Sequence, residues 1–111
     1  MSKRREREAP EALGLAPVGA DSHAHLDGRD FDVDEVLARA LACGVRTVGN
    51  VFLGPAADRE GRGLFDLHPD VFFLLGVHPH EAAKMTEEDL GDMRAAFAAD
   101  PRLRAVGEIG L

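Results

Sequence analysis

Apolar positions along the chain alternate between two spacings, nearly unbroken short runs and recurrences at three and four residues. Val18 to Ser22 reads as a short strand. Val33, Val36, Leu37, Ala40 and Leu41 then form one apolar stripe, the mark of a helix with a single buried face. Asp32-Val33-Asp34-Glu35 in front of it resembles a capping box, in which Asp32 accepts backbone N–H bonds and Glu35 reaches back. Gly44 suits the left-handed position past the helix end. Arg46 to Phe52 is predicted as a second strand. A helical stretch from about Pro55, acceptable in a first turn, is predicted to run through Leu64, Phe65 and Leu67 until Pro69 stops it.

Val71-Phe72-Phe73-Leu74-Leu75-Gly76-Val77 is an unbroken apolar run, the pattern of a strand buried on both faces of a parallel sheet. Thr86 caps a third helix whose stripe is Leu90, Met93, Ala96 and Phe97, ended by Asp100-Pro101. Leu103 to Ile109 is predicted as the fourth strand. Strand and helix thus alternate, with helices of a length suited to crossovers between parallel neighbours, and the fold class is α/β with parallel strands.

In this class of sheet the chemistry sits in loops at the carboxyl ends of strands. His23 and His25 follow strand one, His78-Pro79-His80 follows strand three, and Glu108 lies near the end of strand four. Side chains alternate along a strand, so His23 and His25 are expected on one face with Asp21 beneath them. Two aligned imidazoles are half of a site for zinc or a similar cation, although such a pair also occurs on wet surfaces. Glu108 sits among Ala105, Val106, Gly107, Ile109, Gly110 and Leu111, where a carboxylate needs a partner, and a cation is a good one. For His78 and His80 the plainer alternative is a histidine-rich polar loop. His68, before Pro69 and away from the strand termini, reads as a polar helix end.

The chain has 111 residues and 45% apolar content, enough for one modest domain. Its formal net charge of -7 argues against capture of nucleic acid by general attraction, so such a substrate would have to be gripped locally, by metal. The single Cys43 excludes an internal disulfide framework and reads as a small core residue rather than a catalytic thiol. Residues 1–15 are expected to be a disordered, solvated tail of mixed charge, without the apolar run of a signal peptide. No stretch approaches the roughly 20 apolar residues that span a bilayer, and the expected location is the cytoplasm.

Three segments together resemble one family. Asp21-Ser22-His23-Ala24-His25-Leu26-Asp27, Gly76-Val77-His78-Pro79-His80 and Ala105-Val106-Gly107-Glu108-Ile109-Gly110-Leu111 are similar to the amino-terminal signatures of TatD-type metal-dependent hydrolases, in the expected order and spacing. These belong to the amidohydrolase-like superfamily of barrels and include deoxyribonucleases. The resemblance implies a TIM-type (β/α)8 metallohydrolase barrel, of which residues 16–111 form the first four β/α units, truncated. It implies one or two divalent cations (zinc, manganese or magnesium) held by His23, His25 and Glu108. His78 or His80 would contact substrate phosphate or support the ligands, as would Asp21. The implied substrate is DNA or a related phosphate ester.

A complete barrel needs roughly 250 residues, so the chain looks like the front half of an enzyme. The family's catalytic aspartate and further histidine ligands come from later strands. The expectation is weak metal binding, little turnover by this chain alone, and self-association through open sheet edges at strands one and four. A non-catalytic metal-binding half-barrel and another amidohydrolase-like activity are the alternatives.

Overall fold

A computed structural model of the chain describes residues 7–28 and 30–110. Four strands, β1 (Gly19–Ala24), β2 (Val45–Leu53), β3 (Val71–Gly76) and β4 (Leu103–Val106), form one sheet in the order β1-β2-β3-β4. Every neighbouring pair is parallel. Helices α1 (Val33–Ala42), α2 (Pro55–Gly61) and α3 (Glu87–Ala99) make the successive crossovers. All four carboxyl ends therefore lie along one edge of the sheet, and the loops that leave them are neighbours. Among the described residues, no helix is long and apolar enough to cross a membrane. Of the expected tail, residues 1–6 lie outside the described residues. Pro10–Leu13 makes one 3-10 turn, and the Glu11 carboxylate takes the Arg39 guanidinium of α1 at 2.8 Å.

The core lies between the sheet and its helices. Val48 and Phe52 of β2, Val71, Phe73 and Leu75 of β3, and Leu103 of β4 point into it and meet Val33, Phe65 and Met93. Phe52, Phe65 and Phe73 pack edge to face, with ring centroids 5.0 to 6.2 Å apart, the arrangement favoured by the ring quadrupoles. The alternate residues of β3, Phe72 and Leu74, are only half-buried, so the apolar run is fully covered on one face and partly on the other.

Local signals formed the helices with some changes. Asp32 Oδ1 accepts the Glu35 N–H at 3.3 Å, the first half of the expected box. Thr86 and Asp89 form a complete capping box ahead of α3, each side chain bonded to the other's backbone N–H. Gly44 has φ +90° after α1, and its carbonyl accepts the Gly19 N–H at 2.8 Å, tying the turn to the start of β1. Leu41, expected in the buried stripe, is exposed in the last turn beside a shallow recess that Leu67 also lines.

The helix expected from Pro55 to Pro69 is shorter. It is α-helical to Gly61 and then tightens into a 3-10 segment, Arg62–Phe65. Two glycines, Gly61 and Gly63, weaken the helix there, and the tighter turn delivers Phe65 to the aromatic cluster. Carbonyls at and after its end share an unexpected partner. The Arg102 guanidinium donates to the carbonyls of Phe65 (3.0 Å), His68 (2.6 Å) and Val71 (2.7 and 3.0 Å) and lies 4.5 Å from the Phe73 ring centroid. One side chain thereby joins the end of the 3-10 segment, the start of β3 and the start of β4. Asp58 of α2 is buried, and among the described residues no hydrogen-bond partner reaches its Oδ1. Burial pushes this carboxyl above the usual range, against the opposing charge of Arg62.

Candidate metal centre

β1 ends at Ala24, and its irregular pairing with β2 decides where the histidines point. Asp21 is in register with Val48, and Ala24 with Asn50, so three residues of β1 span two of β2. Neighbours in register share a face, which places Asp21 and Ala24 with the helix-facing side of β2 and His23 on the other side. The regular alternation expected between Asp21 and His23 is thus broken by a bulge. Asp21 Oδ1 instead accepts the His23 backbone N–H at 3.0 Å, holding the bulge.

The imidazoles of His23 and His25 stand nearly perpendicular, with their Nε2 atoms 3.2 Å apart. His25 Nδ1 lies 3.2 Å from the Val51 carbonyl oxygen. A carbonyl only accepts, so Nδ1 donates to it and Nε2 faces the cluster. Glu108 completes the group, with Oε1 3.3 Å from His23 Nε2 and Oε2 3.8 Å from His25 Nε2. One potential ligand atom from each of the three residues lies within 4.8 Å of the others, the only such set containing three or more His, Cys, Asp or Glu among the described residues.

Glu108 arrives by a route different from the predicted one. β4 ends at Val106 rather than at Ile109, which is exposed. The Gly107 N–H still donates to the Leu75 carbonyl at 3.2 Å, after which the chain crosses over Gly76. A Cβ on Gly76 would stand 2.6 Å from both the Gly107 carbonyl carbon and the Glu108 carbonyl oxygen. Only a residue without a side chain permits this crossing, and the crossing sets the root of the Glu108 side chain.

A second device holds the histidine segment. Asn50 of β2 is fully buried; its Oδ1 accepts the Leu26 N–H at 2.6 Å and its Nδ2 donates to Asp27 Oδ1 at 3.3 Å. Together with the His25–Val51 bond, consecutive residues of β2 grip consecutive residues after β1. Sequence reasoning passed over Asn50 and Asp27. The available signal was an amide inside the apolar run Val48-Gly49-Asn50-Val51-Phe52, where a buried polar group must find partners.

The other expected site residues are placed nearby or elsewhere. His78 Nδ1 accepts the His80 backbone N–H at 3.1 Å and so caps a 3-10 segment, Pro79–Lys84, that the sequence pattern did not suggest. The two rings are 4.6 Å apart, and a Cβ on Gly110 would lie 3.6 Å from Pro79, so this segment runs beside the chain that follows Glu108. Neither histidine belongs to the three-residue cluster. His68 bonds Asp34 of α1 through Nε2, and its carbonyl serves Arg102, both structural uses. Cys43 is half-buried, and burial raises its thiol above the ordinary value, the opposite of an activated nucleophile.

The donor set fits a divalent cation. Two nitrogens bound to one tetrahedral zinc at 2.0–2.1 Å are about 3.3 Å apart, close to the 3.2 Å between the two Nε2 atoms. The carboxylate spans both nitrogens and supplies the negative charge, and an outer hydrogen bond orients one imidazole, as is usual for metal-bound histidine.

Comparison with known proteins points the same way. Residues 20–111 match the family model described as TatD related DNase. The chain is 32% identical over 93 residues to the metal-dependent hydrolase YabD of Bacillus subtilis, covering 82% of this chain and 36% of that protein. It is 38% identical over 96 residues to the metal-dependent hydrolase YcfH of Escherichia coli, covering 82% and 35%. With the 3'-5' ssDNA/RNA exonuclease TatD of Cronobacter turicensis the identity is 34% over 84 residues, covering 74% and 31%. The chain therefore spans about a third of the length of the curated relatives it matches.

Proposed function

The chain belongs to the TatD-related DNase family of metal-dependent hydrolases, and on that premise we propose that His23, His25 and Glu108 hold a divalent cation for hydrolysis of phosphodiester bonds in DNA or a related nucleic acid. The observation that carries this reading is the meeting of three ligand atoms, within 4.8 Å, from strand ends more than 80 residues apart in the chain. A cation held there supplies Lewis acidity toward a phosphoryl oxygen and toward water. The protein's part is orientation. The Val51 carbonyl holds the His25 tautomer, the Gly76 crossing holds Glu108, and the carboxyl edge of the sheet leaves the cluster open to a substrate. A polyanion approaching a chain of net charge -7 needs such a local positive centre.

His78 or His80, beside the segment that follows Glu108, would contact a substrate phosphate or support the ligands. Zinc, manganese and magnesium are the candidate cations, one or two in number, with Glu108 bridging if there are two. The strands of this sheet are four of the eight that a closed barrel requires. Turnover therefore depends on the remaining β/α units, supplied by a longer chain or by association at the sheet edges, and these strands alone bind metal without efficient hydrolysis.

The test is metal content by elemental analysis after dialysis against zinc or manganese, for the wild type and for His23→Ala with His25→Ala. Loss of uptake in the double variant is expected. Equal content overturns the cation site. A single-stranded DNA assay with divalent metal, on this chain and on one extended through four more β/α units, reads the activity; cleavage by neither overturns the nuclease assignment.

A further inference from the structure

We propose that the recess beside His25 holds the base of the nucleotide whose phosphate is gripped at the cation site, an inference that rests on the reading just given. The recess measures about 330 Å³ and is lined by His25, Asp27, Phe31, Val51, Leu53 and Ala57. It shares His25 with the cluster, so an occupant of one sits directly beside an occupant of the other. Phe31 and Leu53 are 50% and 46% exposed, and they put an aromatic ring and an aliphatic side chain on the same concave surface. Large apolar groups left open to water around a polar centre are the usual composition of a small-molecule site.

The charge of the lining selects the occupant. Its described residues include one carboxylate, Asp27, and no lysine or arginine. Asp27 disfavours a phosphate beside it, whereas the cation attracts one. A neutral, flat, aromatic group with N–H donors is accommodated. A nucleobase has this chemistry: a π face for the Phe31 ring and, in adenine, guanine or cytosine, an exocyclic amino group that can donate to the Asp27 carboxylate. Asp27 itself is held by the Asn50 amide, so the acceptor is fixed before a ligand arrives. His25 and Phe31 thus serve the two halves of a nucleotide, with the imidazole toward the phosphate and the ring toward the base.

The experiment uses this chain with manganese, and 2-aminopurine deoxyribonucleoside 5'-monophosphate as the probe, whose fluorescence is quenched on stacking. 2-Deoxyribose 5-phosphate, which lacks a base, is the competitor. Manganese uptake is measured in parallel. The expected result is quenching, with the nucleotide bound at least about fivefold more tightly than the sugar phosphate, the lower end of what base–aromatic stacking contributes. Phe31→Ala should remove that preference while leaving the sugar phosphate affinity as it was, and Leu53→Ser should reduce it. Metal uptake with no preference for the nucleotide, or with a preference that survives both substitutions, overturns the base recess and leaves the cation site standing. Absence of metal uptake by the wild type overturns the cation site, and the base recess with it.

Discussion

Gly76 lies so close beneath the Gly107–Glu108 peptide that a Cβ at residue 76 would come within 2.6 Å of the Glu108 carbonyl oxygen. The atoms it would meet are backbone, which cannot swing aside as the end of a flexible side chain can. Gly76→Ala must therefore lift the segment that carries the Glu108 carboxylate. Manganese or zinc affinity is expected to fall about 10- to 100-fold, the loss typical when an orienting partner of a metal ligand is removed. Isothermal titration measures it, with circular dichroism showing that the sheet persists. An unchanged affinity in a folded variant means that this crossing does not place the ligand.

Asn50→Asp tests the brace behind the histidines. The variant keeps an acceptor for the Leu26 N–H but replaces the donor to Asp27 with a second carboxylate. Loss of a buried hydrogen bond and gain of a like-charge contact should cost about 2 kcal/mol at pH 7. In a domain of this size that lowers the melting temperature by about 10 °C. Acidification protonates one member of the new pair and restores a donor. The deficit relative to wild type should therefore shrink toward pH 4, as read by thermal melts at both pH values; an equal deficit at both would remove the carboxylate pair as its cause.

Arg102→Lys should destabilise the chain by about 2 kcal/mol or more, because a lysine ammonium cannot reproduce a planar fork serving three carbonyls and stacked on a ring. Denaturant midpoints check the value. Arg102 precedes β4 and Glu108 follows it, so the hydrogen bonds that this variant removes lie at the opposite end of the strand from the cluster. Metal affinity of the folded variant is expected to remain within about twofold, a bound set by the near-independence of distant sites.

Asp58→Asn is expected to stabilise the chain at neutral pH. The folded-state pKa of Asp58 is raised by burial, so between the unfolded and folded values the native state binds more protons than the unfolded one. Stability from this group is greatest below the unfolded value and falls as pH rises through that window. Above it, the folded chain carries a buried carboxylate with an oxygen that has no hydrogen-bond partner among the described residues. A neutral amide avoids that charge, with a gain of about 1 kcal/mol at pH 7 that vanishes at acidic pH. Melts across the pH range read the difference, and a gain constant with pH would assign it to something other than ionisation.

The order of elements was legible from the chain itself because each carries a local cause. The stripe from Val33 to Leu37, the Thr86 cap and the apolar run of β3 act within one helix turn or one strand. The same holds for the candidate ligands: His23, His25 and Glu108 were conspicuous as polar residues where strands end. What exceeded local signals was phase and termination. The bulge that separates Asp21 from His23 depends on the pairing of β1 with β2, and the path of the chain after β4 depends on a glycine in β3. The split of the helix after Gly61 depends on where Phe65 finds its aromatic partners.

By itself, then, the sequence determined the order of the four strands and three α-helices, and which side chains at the strand ends are candidate cation ligands. Only the tertiary structure decided that those side chains face one another, that His25 leaves its Nε2 turned toward the cluster, and that Asn50 and Gly76 hold the two arms in place. The division has a physical origin. Helix caps, stripes and apolar runs act over a few neighbouring residues, whereas the separation of two Nε2 atoms and a carboxylate is set by hydrogen bonds and close contacts between strands that meet only after the chain has folded.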